Sequence, residues 1–132
     1  MPSLRGHIYD AQTGDTLQAK VHVLESTGKF QAPPEALLKV GGGPPFFYSD
    51  GSFALDLLCG PAEGVVERGT EYRPLLQTVE IPRTGALEVE FPLERWINLP
   101  ADGWHAGNTH IHYNEQETRP DERLQLDPQI ED

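Results

Sequence analysis

Three of the chain's five histidines, His105, His110 and His112, crowd into one short stretch, and the last two bracket a single residue, Ile111. On a strand, residues two apart project from the same face, so both imidazoles can reach one metal ion while Ile111 points the other way. Two nitrogen ligands do not complete a catalytic zinc site. Such a site takes three protein ligands and an open position, and the rest must come from His, Asp or Glu elsewhere. Read without their flanks, His110 and His112 fit either an exposed polar strand face or part of a metal site.

Other candidates carry less chemistry. Glu88 and Glu90 are paired carboxylates, but in Leu87-Glu88-Val89-Glu90-Phe91 they fall on the solvated side of an alternating strand. Glu67, Arg68 and Glu71 read as a surface charge cluster or turn. Gly41-Gly42-Gly43 lacks the following Lys-Ser or Lys-Thr and the helix of a phosphate cradle, and fits a surface insertion better. No serine has the Gly-x-Ser-x-Gly setting of a nucleophile elbow. Cys59 is the only cysteine, which excludes an intrachain disulfide and a thiolate zinc cluster, and it reads as a small residue near a strand end. Trp96 and Trp104 offer flat rings either to a sugar or to a packing surface.

The elements that must position these groups are strands. Leu4, Gly6 and Ile8 alternate with Arg5, His7 and Tyr9, and Asp10 to Gly14 supplies turn chemistry before a hairpin-like return through Ala19, Val21 and Val23. Asp50-Gly51 turns into Phe53, Leu55 and Leu57; Val65–Arg68 and Leu75–Ile81 follow, and Leu87, Val89, Phe91 and Leu93 give the clearest alternation. Between Glu25 and Ser49 the pattern lapses, with room for one helical turn at Glu35–Lys39. The expected fold is all-β, an antiparallel β-sandwich of about seven strands, followed by an extended C-terminal segment.

Composition narrows the classes further. The 132 residues include 37% apolar side chains, enough for one core. A formal charge of −11 with scattered basic residues argues against nucleic acid as a partner. Apolar runs are too short for a membrane-spanning helix, and Met1 to Arg5 lacks a secretory signal's apolar stretch, which predicts a soluble, cytoplasmic chain. The charge is uneven: residues 1–113 hold 14 acidic and 8 basic side chains, and residues 114–132 hold 7 and 2. That acidic tail, with Leu124, Leu126 and Ile130 as its large apolar residues, cannot form a core of its own.

The flanks of the histidine pair carry a resemblance. Arg68-Gly69-Thr70-Glu71-Tyr72, then Leu93-Glu94-Arg95-Trp96, then Gly103-Trp104-His105-Ala106-Gly107-Asn108-Thr109-His110-Ile111-His112 is similar to the carbaryl-hydrolase-like branch of the PHP (polymerase and histidinol phosphatase) superfamily. Gly6-x-Ile8-x-Asp10-x-x-Thr13-Gly14 and Asp50-Gly51-Ser52-Phe53 resemble a carboxypeptidase-regulatory-like domain, a transthyretin-like sandwich. The resemblance implies a sandwich over 1–96, a linker over 97–103 and, over 104–132, the incomplete start of a metallohydrolase domain. It implies His110 and His112 as ligands of a divalent metal, Zn, Mn or Fe, with the remaining ligands outside this chain. Asn108 stands where the family usually has Asp, so no anionic partner is supplied there.

The implied activity belongs to the complete protein: hydrolysis of a small-molecule phosphoester, ester, carbamate or amide, with this chain alone not catalytic. The rival expectations are a free-standing sandwich that binds carbohydrate or protein, and a structural domain that self-associates through an edge strand or around Trp104.

Overall fold

A computed structural model describes residues 1–39, 43–104 and 130. These residues form two packed β-sheets, and the expected all-β sandwich is what the chain adopts. Nine strands are present among them: β1 (Ser3–Asp10), β2 (Ala19–Leu24), β3 (Phe30–Gln31), β4 (Leu38–Lys39), β5 (Phe46–Ser49), β6 (Ser52–Asp56), β7 (Gly60–Glu67), β8 (Leu75–Ile81) and β9 (Ala86–Leu93). One sheet has the order β6-β1-β9, and the other β4-β5-β2-β7-β8, with β3 added to β2.

Alternation decides which side chains meet between the sheets. Leu4 and Ile8 of β1, Phe53 and Leu55 of β6, and Phe91 and Leu93 of β9 point inward from the small sheet. Val21, Val23, Phe47, Val66 and Ile81 answer from the large one. The intervening polar residues face outward, as the period of two requires. Each fully buried aliphatic or aromatic side chain here contributes on the order of 1.5–3 kcal/mol. Among the described residues no helix is long and apolar enough to cross a membrane.

Three local expectations are corrected. The sandwich is not wholly antiparallel, because β9 runs parallel to β1 in register from Ser3↔Ala86 to Asp10↔Leu93. Strand β1 uses one edge on β6, and β9 arrives from the opposite sheet through the turn at 82–85 to take the other edge. Alternating burial is the same for either strand direction, so it carries no polarity signal.

Nor do β1 and β2 form a hairpin. After the turn, Thr16 makes a single bridge back to Tyr9, and the chain then crosses to the other sheet. The segment expected to hold a helical turn instead closes a tight turn, the Ala36 N–H donating to Pro33 O at 3.1 Å, and enters the two-residue strand β4. Strands β3 and β4 account for the count above seven; two residues are too few to show a period. The extended C-terminal segment lies outside the described residues.

Gly6 is the one strand position where the core requires a missing side chain. It pairs with Phe53 across β1 and β6, and the Phe53 ring lies where a Cβ would be. That ring is fixed by Phe47 at 5.4 Å and Phe91 at 5.8 Å, so it has little freedom to retreat. We predict that Gly6→Ala destabilises the fold by about 1–3 kcal/mol, as overpacking does. Chemical denaturation should show a lower midpoint at unchanged slope; an unchanged midpoint would mean that the ring relaxes freely.

Candidate functional site

Two motifs distant in sequence meet at Asp10, the last residue of β1. One carboxylate oxygen, Oδ1, accepts the backbone N–H groups of Gln12 at 2.8 Å and Thr13 at 3.0 Å, and Gly14 closes the turn at φ 77° with its N–H donating to Asp10 O. In the segment Gly6 to Gly14, Asp10 thus serves through its acceptor oxygens and Gly14 through its left-handed backbone. The other oxygen, Oδ2, accepts the Tyr72 hydroxyl at 2.7 Å, and both side chains are buried.

Around Tyr72 the Arg68–Tyr72 and Leu93–Trp96 segments lock together. Residues 71–73 pair with 94–96 through Arg73 N–H to Glu94 O, Trp96 N–H to Glu71 O and the bridge Tyr72↔Arg95. The Arg95 guanidinium lies 4.3 Å from the centre of the Tyr72 ring and donates to Glu71 Oε1 at 3.3 Å. Arg68 also stands 5.8 Å from the centre of the Tyr72 ring and donates to Gln18 O at 2.8 Å. Glu71, only 8% exposed, also accepts the Leu99 N–H at 2.7 Å.

This lock sets the path by which the chain leaves the sandwich. Arg95 donates to Ile97 O and Glu71 holds Leu99, after which Pro100–Asp102 forms a 3₁₀ turn. Gly103 ends the turn at φ 89°, and Trp104 N–H donates back to Leu99 O. The run 97–103 is thus held by named side chains. Trp96 hangs on the same cluster, its indole N–H donating to Thr70 O at 2.7 Å, while 58% of the residue stays exposed. Trp104, 70% exposed, is the last residue of the described run 43–104.

The electrostatics suit support rather than proton transfer. Burial alone would raise the Asp10 pKa, but the Tyr72 hydroxyl, the two turn N–H groups and the Arg95 charge outweigh it and hold the carboxyl below its ordinary 3.8. Burial and the bond to Asp10 push the Tyr72 hydroxyl above its ordinary 10.0, against the opposing pull of Arg95. An ionised acceptor and a neutral donor therefore persist across the neutral range. Glu25 is similarly held low: burial opposes ionisation, but Leu58 N–H, Thr27, Gln31 and the Lys29 charge favour it more strongly.

Other sequence candidates fall in different places. His110 and His112, with His105 and Asn108, lie outside the described residues, as do Gly41 and Gly42. Among the described residues no group of three His, Cys, Asp or Glu side chains is placed to hold a metal. Glu88 and Glu90 do lie on the wet face of β9, where Glu90 meets His7 Nδ1 at 3.0 Å and Arg5 reaches Glu88 at 3.9 Å. Thr16 Oγ1 contacts the other nitrogen of His7 at 3.2 Å, completing an exposed polar chain. Glu71 is corrected from a surface charge to a buried one; its neighbour Arg95, 24 positions later, carried no local cue to that pairing. Cys59 is exposed between β6 and β7. Compared with models of known protein families and with curated proteins, the chain matches none.

The lock predicts the acid limb of stability. Because Asp10 has a lower pKa folded than unfolded, its contribution is present above the unfolded value and is lost as pH falls through the folded one. Stability should therefore hold through neutral pH and decline below about pH 4. Tyr72→Phe removes the hydroxyl donor and should cost about 1–3 kcal/mol at pH 7, with a smaller loss of stability between neutral and acid pH, because the folded pKa of Asp10 moves toward its unfolded value. Urea midpoints measured across pH 2–8 test both statements; coincident acid limbs for the two proteins would show that this bond does not set the Asp10 pKa.

Proposed function

We propose that this chain is the N-terminal sandwich and first metal-ligand segment of a PHP-type metal-dependent hydrolase, whose complete form acts on a small-molecule phosphoester, ester, carbamate or amide. One observation carries the reading: the segments Gly6–Gly14, Arg68–Tyr72 and Leu93–Trp96, which bear the resemblance, converge on a single buried polar cluster. That cluster fixes residues 97–103, which lead directly into the His110-Ile111-His112 segment. Its own groups are occupied in holding one another, which suits a scaffold beside an active site.

In this proposal His110 and His112 hold one divalent ion, Zn, Mn or Fe, together with ligands that this chain does not supply. Such an ion supplies an activated water near neutral pH. The part of this chain is to supply two imidazoles, at a spacing that puts both on one face of an extended segment. Cytoplasmic location belongs to the same proposal.

The test is the native polypeptide captured with an antibody to residues 1–96. The proposal expects it to extend past Asp132 with further His, Asp and Glu motifs and to hold stoichiometric divalent metal, lost on His110→Ala or His112→Ala. A native polypeptide ending at Asp132, or metal that survives both substitutions, would contradict it.

A second reading, a free-standing module for carbohydrate or protein, draws on the exposed rings of Trp96 and Trp104. It expects binding on a glycan array that is lost in Trp96→Ala and Trp104→Ala. Unchanged binding in both variants would remove it.

A further inference from the structure

The outer face of the small sheet carries three side chains whose order matches a nucleophile, a base and the group that orients the base. Register places them. His7 of β1 and Glu90 of β9 are partners in the parallel pairing, and Thr16 bridges to Tyr9, the next residue after His7 on the same face of β1. The His7 ring is held between the two: Nδ1 lies 3.0 Å from Glu90 Oε2, and Nε2 lies 3.2 Å from Thr16 Oγ1. An ionised carboxylate only accepts hydrogen bonds, so the ring proton belongs on Nδ1. In the neutral ring Nε2 is then an acceptor, and the Thr16 hydroxyl is its donor.

Thr16 is aimed as well as near. Its methyl group, Cγ2, occupies the space where a Cβ on Gly51 would stand, so it packs on bare glycine backbone, and a β-branched side chain has few other settings. The adjoining backbone is pinned, Leu17 N–H donating to Ile8 O at 3.0 Å and Ile8 N–H to Gly51 O at 2.7 Å. The other two groups stay within reach of a ligand, with 41% of the His7 side chain and 61% of the Glu90 side chain exposed. The imidazole also lines a shallow cleft of about 510 Å³, and at Gly6 and Ala54 that cleft is free of bulky side chains. An acyl group thus has room beside the nucleophile and base.

We infer that Thr16, His7 and Glu90 form an acyl-transfer site that takes aryl esters. Thr16 Oγ1 attacks the ester carbonyl carbon while its proton passes to His7 Nε2; the bond from that carbon to the aryl oxygen breaks, and the departing aryloxide takes the proton from the imidazolium. Acyl-Thr16 remains. Water then adds to the acyl carbon, its proton taken by the same nitrogen, and the carboxylic acid leaves as that proton returns to Thr16 Oγ1. Glu90 is a positioning residue, which keeps the ring proton on Nδ1. The face is open to water, so solvent shares in stabilising the developing oxyanion, and this confines the site to esters with good leaving groups. It uses neither a metal nor the cluster around Tyr72, so it stands or falls separately from the hydrolase reading.

The probe is p-nitrophenyl acetate, supplied to the full chain in the presence of a chelator, with aryloxide release followed by absorbance and the acetylated residue located by peptide mass spectrometry. The expected result is acetyl-Thr16 as an intermediate and release about tenfold faster than in His7→Gln. Thr16→Val, which keeps a methyl group against Gly51, should fall to the His7→Gln rate, whereas Thr16→Ser should retain most of the activity. All three substitutions lie at the surface and should keep the wild-type thermal midpoint. Nitrogen chemical shifts of the His7 ring should place its proton on Nδ1, and in Glu90→Ala should report a mixture of both tautomers together with slower release. Release unchanged in Thr16→Val, acetyl groups found only at other residues, or a ring tautomer indifferent to Glu90 would overturn the inference.

Discussion

The Tyr72 hydroxyl and the Asp10 carboxylate meet at 2.7 Å where three parts of the chain converge: the end of β1, the loop after β7 and the residues that follow β9. A buried carboxylate is tolerated only when its lone pairs are engaged, and here four groups serve it: the Tyr72 hydroxyl, two turn N–H groups and the nearby Arg95 charge. The arrangement constrains more than its own members. Asp10 must stand at the end of β1 to close the turn that sends the chain toward the large sheet, and Tyr72 must lie over it for Arg95 to stack and reach Glu71. Removing one partner leaves the others buried and unmatched, so the cluster behaves as a unit.

The two sheets give that unit a rigid frame. Strand β1 is the centre of the small sheet, paired to β6 over Ser3–His7 on one side and to β9 over its whole length on the other, so its C-terminal end is held by β9. The Phe47, Phe53 and Phe91 rings tie the small sheet to the large one directly above Gly6. Asp10 and Leu93 are partners in the parallel register, and Arg95 follows two residues later. The parallel pairing therefore delivers Arg95 to the end of β1, where Asp10 and Tyr72 already meet.

Much of this frame is legible in the sequence, and the missing part has a common cause. The long strands announce themselves through alternation: Leu4 and Ile8, Val21 and Val23, and Phe91 and Leu93 are all inward, and Glu88 and Glu90 are on the wet face. The partners of each strand are not local information. The parallel direction of β9, the separation of β1 and β2 into different sheets and the two-residue strands β3 and β4 all depend on contacts between distant segments. Glu71 illustrates the same point at the level of chemistry. Beside Arg68 and Tyr72 it reads as a surface charge, and only the arrival of Arg95 and the Leu99 N–H makes its burial tolerable. Asp10, Tyr72 and Arg95 lie far apart along the chain, so the contacts among them carry no local signal.

By holding Leu99 and Trp96, this buried cluster fixes the direction in which the chain leaves the sandwich. Amide hydrogen exchange at those two positions tests it most directly. The Trp96 and Leu99 N–H groups should be protected in the wild-type chain, and in Glu71→Ala, which removes the acceptor, the Leu99 N–H should lose protection while the core amides of Val21 and Ile8 keep theirs. Exchange of Leu99 at the rate of an open loop in the wild-type chain, or protection that is indifferent to the loss of the Glu71 carboxylate, would contradict it.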